Sequence, residues 1–290
     1  MMKDKTLRLF DEPIVDKPSL VVGFDSWMDG GNVSSGTVDY LRIKLGALPF
    51  GQIETDGFYV LNVPGPTELA AVFRPNVRYK DGQIQQYDYP TNRFFVQADC
   101  NLLLFAGKEP NLDWDRFAEA ILSVCRRFSV ERILYVGSMD GLAPHSRDPR
   151  VLCTLSRGEL KELADKMGFH LSQYEGPGSF VTHLMQRAVE QQIDMIGLIA
   201  ETPVYLQGYN PKCIETMVRC VSSILGLHLV CDELRALGEE YENRVTELVG
   251  QQPDLAERVE KLEESYDNEI FDTELSELKT WLHRRGIRLD

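Results

Sequence analysis

The stretch that most constrains this chain is Ser19–Tyr40, SLVVGFDSWMDGGNVSSGTVDY. The apolar run Leu20–Val22 suits a buried strand, a polar glycine-containing turn occupies Gly23–Gly31, and helical patterning follows from about Asn32 to Lys44. A buried strand feeding a helix is the opening unit of an α/β layer, and every later segment has to be compatible with it.

Around that unit the pattern is first strand-rich and then alternating. Leu7–Phe10 reads as a short edge strand ahead of Pro13 and Pro18. Phe50–Glu54 and Phe58–Asn62 flank Asp56–Gly57, and Val72–Tyr79 and Gln83–Tyr87 flank Asp81–Gly82, so both pairs are expected to form hairpins. Strands are predicted at Phe94–Gln97, Asn101–Phe105, Glu131–Val136 and Met195–Ala200. Helices are predicted at Trp114–Arg127, Ser156–Met167, Ser179–Gln191 and Lys212–Leu225, with a loop or short strand through Phe169–Tyr174. This alternation predicts an α/β fold, a three-layer α/β/α body, and not a β-sandwich.

From Cys231 the chain becomes acidic and helical. Three apolar stripes recur at helical spacing: Leu234, Leu237, Tyr241 and Val245; then Leu255, Val259, Leu262 and Tyr266; then Phe271, Leu275, Leu278 and Leu282. Gly250–Pro253 separates the first from the second, and a turn is expected at Asp267–Asn268. The stripes must bury against one another, the body or another subunit. We therefore divide the chain into a domain at 1–230 and a C-terminal helical extension at 231–290.

A net charge of −14 argues against the phosphate-binding surface of a nucleic-acid protein and against adhesion to an anionic membrane. No apolar run is long enough to span a bilayer, and Met1–Pro13 lacks the apolar core of a signal peptide, so a cytoplasmic location is expected. The six cysteines form no CxxC pair and the five histidines no HExxH, so free thiols, no metal site and no cofactor are expected.

Candidate functional residues sit in polar turns beyond strand ends, where α/β proteins hold ligands. Asp25, Asp29, Gly30 and Gly31 could recognise an amine or a metal, or could be a turn and helix start, because two aspartates four residues apart define no ligand geometry. The glycines match neither G-x-G-x-x-G nor the Walker A pattern. His145 and Arg147 lie in the densest reactive-looking loop, where a histidine near acids could act as a base and an arginine could hold an anion. Salt-bridged loop stabilisation explains the same residues, and no G-x-S-x-G elbow supplies a nucleophile. Gly176 and Gly178 could present amides to an anion or make a rigid turn capped by Ser179. Glu109, Tyr205 and Asn210 could line a pocket rim or an interface, or simply pack their loops.

Six segments in order, GFDSWMDGGNVSSG, YPTNRFF, LLLFAGKEPNLDWDRFAEAI, YVGSMDGLAPHSRDPRV, YEGPGSFVTHLMQRA and PVYLQGYNPKCIETM, span about residues 18–226. Together they resemble a bacterial member of the proteasome assembly chaperone family, a group sometimes linked to the ATP-grasp superfamily. The resemblance implies a body similar to the nucleoside phosphorylase/hydrolase-like architecture, a helical C-terminal extension, and a homo-oligomer with a trimer favoured. Many similar sequences carry Pro-His-Tyr where this chain has Pro203–Val204–Tyr205, which removes a histidine that chemistry in relatives could use. The ending Gly286–Asp290 is not the hydrophobic-tyrosine-X tail that docks on proteasomes. The expected function is a non-catalytic protein-binding or assembly factor with an unidentified protein partner. The alternatives are an enzyme doing phosphate-dependent or hydrolytic chemistry on a small metabolite, which would need Asp25, Asp29, Glu109, His145 and Arg147 to converge, and a structural oligomer.

Overall fold

The computed structural model describes residues 6–284, with side chains described through Asn268. Its main sheet has nine strands in the order β1 (Leu7–Leu9), β3 (Leu48–Ile53), β6 (Arg93–Gln97), β7 (Leu102–Lys108), β2 (Ser19–Asp25), β8 (Arg132–Gly141), β11 (Asp194–Pro203), β9 (Val151–Leu155) and β10 (His170–Leu171). The four central strands, β7, β2, β8 and β11, are mutually parallel. Antiparallel neighbours flank them: β6, β3 and β1 on one side, and β9 on the other.

Strand alternation divides the core between the two faces. Leu20, Val22 and Phe24 of β2 and Ile133 and Tyr135 of β8 pack with α3 (Trp114–Arg127) and α5 (Phe180–Glu190). Val21, Leu134 and Val136 face the opposite way, onto α1 (Val33–Lys44) and α6 (Pro211–Leu225). The result is a mixed α/β architecture with helices flanking a central sheet. Phe24 anchors the first face, edge-on to Phe105 at 5.5 Å and to Phe180 at 5.4 Å. On the second face α1 lies directly on the strand at Gly23, where a Cβ would come within 2.7 Å of the Ser34 carbonyl oxygen.

Several sequence expectations are corrected. Phe58–Asn62 is no strand and makes no hairpin at Asp56–Gly57; β3 pairs instead with β1 and β6. Phe58 is buried edge-on to Phe117 at 4.9 Å under the Arg116 guanidinium, and this anchoring holds the segment as a docked loop. The second hairpin forms, but only from β4 (Val77–Lys80) and β5 (Gln83–Tyr87), because Thr67–Phe73 coils into α2 ahead of Pro75. The expected Ser156–Met167 helix is reduced to a 3-10 turn at Gly158–Leu160 and α4 (Lys161–Lys166). Strands β8 and β11 run on to Gly141 and Pro203, taking in residues that read as loop, since their polar ends pair with each other, Ser138 opposite Ala200 and Asp140 opposite Thr202.

The extension consists of α7 (Asp232–Gly250) and α8 (Pro253–Arg284). The turn expected at Asp267–Asn268 is absent; α8 runs straight through it, neither residue being a glycine or proline that would break a helix. Leu234 packs into the body, while Val245, Val249 and Val259 form a small core with Tyr205, Tyr241 and Leu255. Leu237 remains half exposed. The side chains of Phe271, Leu275, Leu278 and Leu282 lie outside the described residues.

Candidate functional site

The C-terminal ends of β2 and β7 are in register, with Asp25 opposite Lys108, and open into a cleft of about 490 Å³. Asp25, Glu109 and Gly178 line it, together with Trp27, Tyr59 and Lys108. Asp25 is largely exposed and 3.9 Å from the Lys108 ammonium. Glu109 is already engaged, because its Oε1 accepts a 2.8 Å hydrogen bond from the Phe180 N–H at the start of α5. A carboxylate there satisfies an unpaired amide and offsets the positive end of the helix dipole. Gly176 lets Tyr174 fold back over the turn, where its hydroxyl donates to the Pro177 carbonyl at 3.2 Å.

Asp29 turns away from this cleft. Its carboxylate accepts from the Ser35 N–H at 3.0 Å and from the Ser35 hydroxyl at 2.7 Å, tying the turn to α1. Burial is the main reason its pKa rises to about 6; the Asp25 charge adds to the rise and the Ser35 bonds oppose it. Gly31 has φ +67°, and a Cβ there would stand 2.8 Å from that of Asn210. Asn210 donates its own N–H to the Gly31 carbonyl at 2.8 Å and caps α6 by accepting from Cys213 at 3.0 Å.

His145, Arg147 and Tyr205 lie elsewhere, at the joint between body and extension. The Tyr205 hydroxyl accepts from the His145 N–H at 2.9 Å and lies 2.8 Å from its Nδ1, while Nε2 is 3.1 Å from the Thr246 hydroxyl on α7. His145 is buried, and burial holds its pKa below the usual value despite Glu263 and Glu242 nearby. Arg147 makes a two-pronged pair with Asp267 of α8, 2.8 Å on both arms. These partners are 60 to 120 positions away in sequence, so spacing alone could not reveal them.

A second cavity of about 510 Å³ lies between α5 and strands β8, β9 and β11, sharing Trp27 and Ser179 with the cleft. Gly30 lines it, but most of its wall comes from strand and helix interiors that no motif marks. The sequence-derived residues thus divide among the cleft, the second cavity, the α1–α6 contact and the extension joint. Asp25 and Glu109 share the cleft, while His145 and Arg147 lie at the joint.

The β4–β5 ribbon lies outside the main sheet. Val77 pairs with Tyr87 and Tyr79 with Ile84, across a register shift between Arg78 and Tyr79. That bulge brings Ile84 and Tyr87, three residues apart, onto the face of Val77 and Tyr79. The four side chains are 45, 61, 59 and 55% exposed in the order Val77, Tyr79, Ile84, Tyr87.

Among the described residues no group of His, Cys, Asp and Glu could hold a metal ion. The cysteines are free, and burial pushes Cys125 and Cys213 up to about 12, which suppresses thiolate chemistry. No described helix is long and apolar enough to cross a membrane.

A family profile described as the PAC2 family matches residues 23–249. The fold is similar to that of a proteasome-assembly chaperone homologue of Mycobacterium tuberculosis, at 25% identity and TM-score 0.71 over 83% of this chain and 99% of that one. A second M. tuberculosis protein, of unknown function, is 22% identical with TM-score 0.83 over 95% of this chain and 93% of its own. PbaB of Pyrococcus furiosus, an archaeal proteasome activator, shares 17% identity with TM-score 0.63 over 84% of this chain and 98% of its own. No curated protein matches.

Proposed function

The chain belongs to the PAC2 family, and on that premise we propose that it is a non-catalytic protein-binding assembly factor that acts as a homotrimer. The observation that carries this reading is the apolar face of the β4–β5 ribbon, patterned for burial and left uncovered by the described residues. An isolated two-stranded ribbon is marginal in water, so a covering surface would stabilise it as well as the assembly. At roughly 25 cal/mol per Å² of apolar area, covering the four side chains would contribute several kcal/mol.

A second copy of the chain offers a surface of opposite net charge. Arg74–Asp88 carries Arg74, Arg78 and Lys80 against Asp81 and Asp88, whereas Asp232–Asn268 carries 12 acidic residues against 4 basic ones and exposes Leu237 and Leu248. In this reading residues 1–230 are the scaffold and 231–290 the appendage that receives a neighbour, in a bacterial cytoplasm. The metabolite-enzyme alternative draws on residues that serve separate structural ends: Glu109 caps α5, and His145 and Arg147 fasten the extension. Neither a phosphorylase-like architecture nor an ATP-grasp link is needed.

Light scattering should give the wild type three times the 33.0 kDa chain mass. Tyr79→Asp with Ile84→Asp should reduce it to one chain without lowering the thermal midpoint of the body. A monomeric wild type, or a double variant of unchanged mass, would refute the proposal.

A further inference from the structure

The cleft at the ends of β2 and β7 is placed by topology as well as by shape. Helix α1 follows β2 and covers the Val21 face of the sheet, whereas α3 follows β7 and covers the Phe24 face. From α3 the chain enters β8, on the far side of β2, so the strand order reverses here and the two outgoing loops part to opposite faces. In open α/β sheets this is where the crevice for a ligand opens. None of the four apolar ribbon side chains lines it, so the site does not depend on the proposed contact between copies.

The cleft carries one opposed pair of charges. The Asp25 carboxylate and the Lys108 ammonium stand 3.9 Å apart, beyond hydrogen-bond reach, and among the described residues neither side chain has another partner. Both side chains are exposed, so the pair contributes little to stability and its donors and lone pairs stay open to a ligand. The remaining charged groups of the lining are engaged: Glu109 accepts from the Phe180 N–H, and Asp88 accepts from the Gln86 amide at 2.7 Å. Aromatic surface lies next to both members of the pair. Trp27, two residues beyond Asp25, is exposed, and Tyr59 is fastened with its hydroxyl 2.8 Å from the Lys108 carbonyl oxygen. Burial raises the Tyr59 pKa and the Asp25 charge raises it further, which sets that carboxylate near the Tyr59 hydroxyl.

We propose that the cleft binds an apolar α-amino acid, its ammonium on Asp25, its carboxylate on Lys108 and its side chain against Trp27 and Tyr59. An α-amino acid carries both charges on one carbon, so it meets both partners at once through charge-assisted hydrogen bonds. A ligand with a single charge is attracted by one partner and repelled by the other, which makes the pair selective for the zwitterion.

Calorimetric titration of the full chain with L-phenylalanine, 2-phenylethylamine, 3-phenylpropanoate and glycine tests the proposal. Phenylalanine should bind saturably at one site, and each of the other three should be weaker by about tenfold or more. Asp25→Asn and Lys108→Gln should each weaken phenylalanine about tenfold, with the thermal midpoint unchanged because the pair is exposed. The same two changes should act oppositely on the singly charged probes: Asp25→Asn strengthens binding of the carboxylate, and Lys108→Gln strengthens binding of the amine. A merely structural role for the pair would not produce that reversal. Absence of saturable phenylalanine binding at millimolar concentration, equal affinity for either singly charged probe, or undiminished binding to either charge variant would overturn the proposal.

Discussion

Replacing Asp29 by Asn should make the protein more stable at neutral pH, and the gain should depend on pH. Burial raises the Asp29 pKa from the ordinary 3.8 to about 6. The folded state therefore holds this proton more tightly than the unfolded chain. The stability it contributes is complete below 3.8 and is lost as pH rises through about 6. Two units correspond to about 3 kcal/mol at most, and the partial exposure of the residue reduces the expected figure to about 1–3 kcal/mol. Asparagine preserves the local geometry, since its oxygen can accept from the Ser35 N–H and its amide can donate to the Ser35 hydroxyl. Chemical denaturation of both proteins from pH 3 to pH 8 should give near-equal stabilities at the acid end and an advantage for the variant that widens between about pH 4 and pH 6 and stays constant above. Because every other titrating group is shared, the difference isolates this carboxyl. A pH-independent difference, or a variant less stable at pH 8, would show that Asp29 is not held in a desolvated site.

Three further outcomes follow from the same contacts. Tyr205→Phe strands the His145 N–H and should weaken the extension joint by about 1–3 kcal/mol, read as faster amide exchange in Asp232–Gly250 with the central strands unchanged. Because the folded His145 pKa lies below its ordinary value, the joint's contribution is present above about pH 6.5 and lost as pH falls through the folded value, so the same exchange should quicken on acidification. Gly31→Ala combines φ +67° with a Cβ 2.8 Å from that of Asn210 and should cost about 2 kcal/mol or more in thermal or chemical unfolding. Glu109→Gln keeps an acceptor for the Phe180 N–H but removes the charge at the start of α5, so it should cost about 1 kcal/mol at low ionic strength and less in high salt.

Much of the framework was legible because it rests on local periodicity. The apolar runs at Leu20–Val22 and Leu102–Phe105 and the one-sided helix at Trp114–Arg127 show their burial in their own spacing. Local rules failed where a distant partner decided the outcome. Asp56–Gly57 is a sound turn signal, yet Phe58 docks on Phe117 and Arg116 and no second strand pairs there. Likewise the apolar residues of the β4–β5 ribbon do not alternate simply; only the bulge brings them to one face.

The candidate residues show the same division. Their types and their position in turns were visible in the chain, and so was the α/β class, since a buried strand must hand over to a covering helix. Which of them meet was decided by the tertiary structure alone. Sheet order sets Asp25 beside Lys108, the docking of α7 and α8 brings Thr246 and Asp267 to His145 and Arg147, and helix α5 covers strands β8, β9 and β11 to leave a cavity. Periodicity records which face of an element is apolar, whereas the contacts that make a site join elements distant in sequence, and no local pattern encodes that distance.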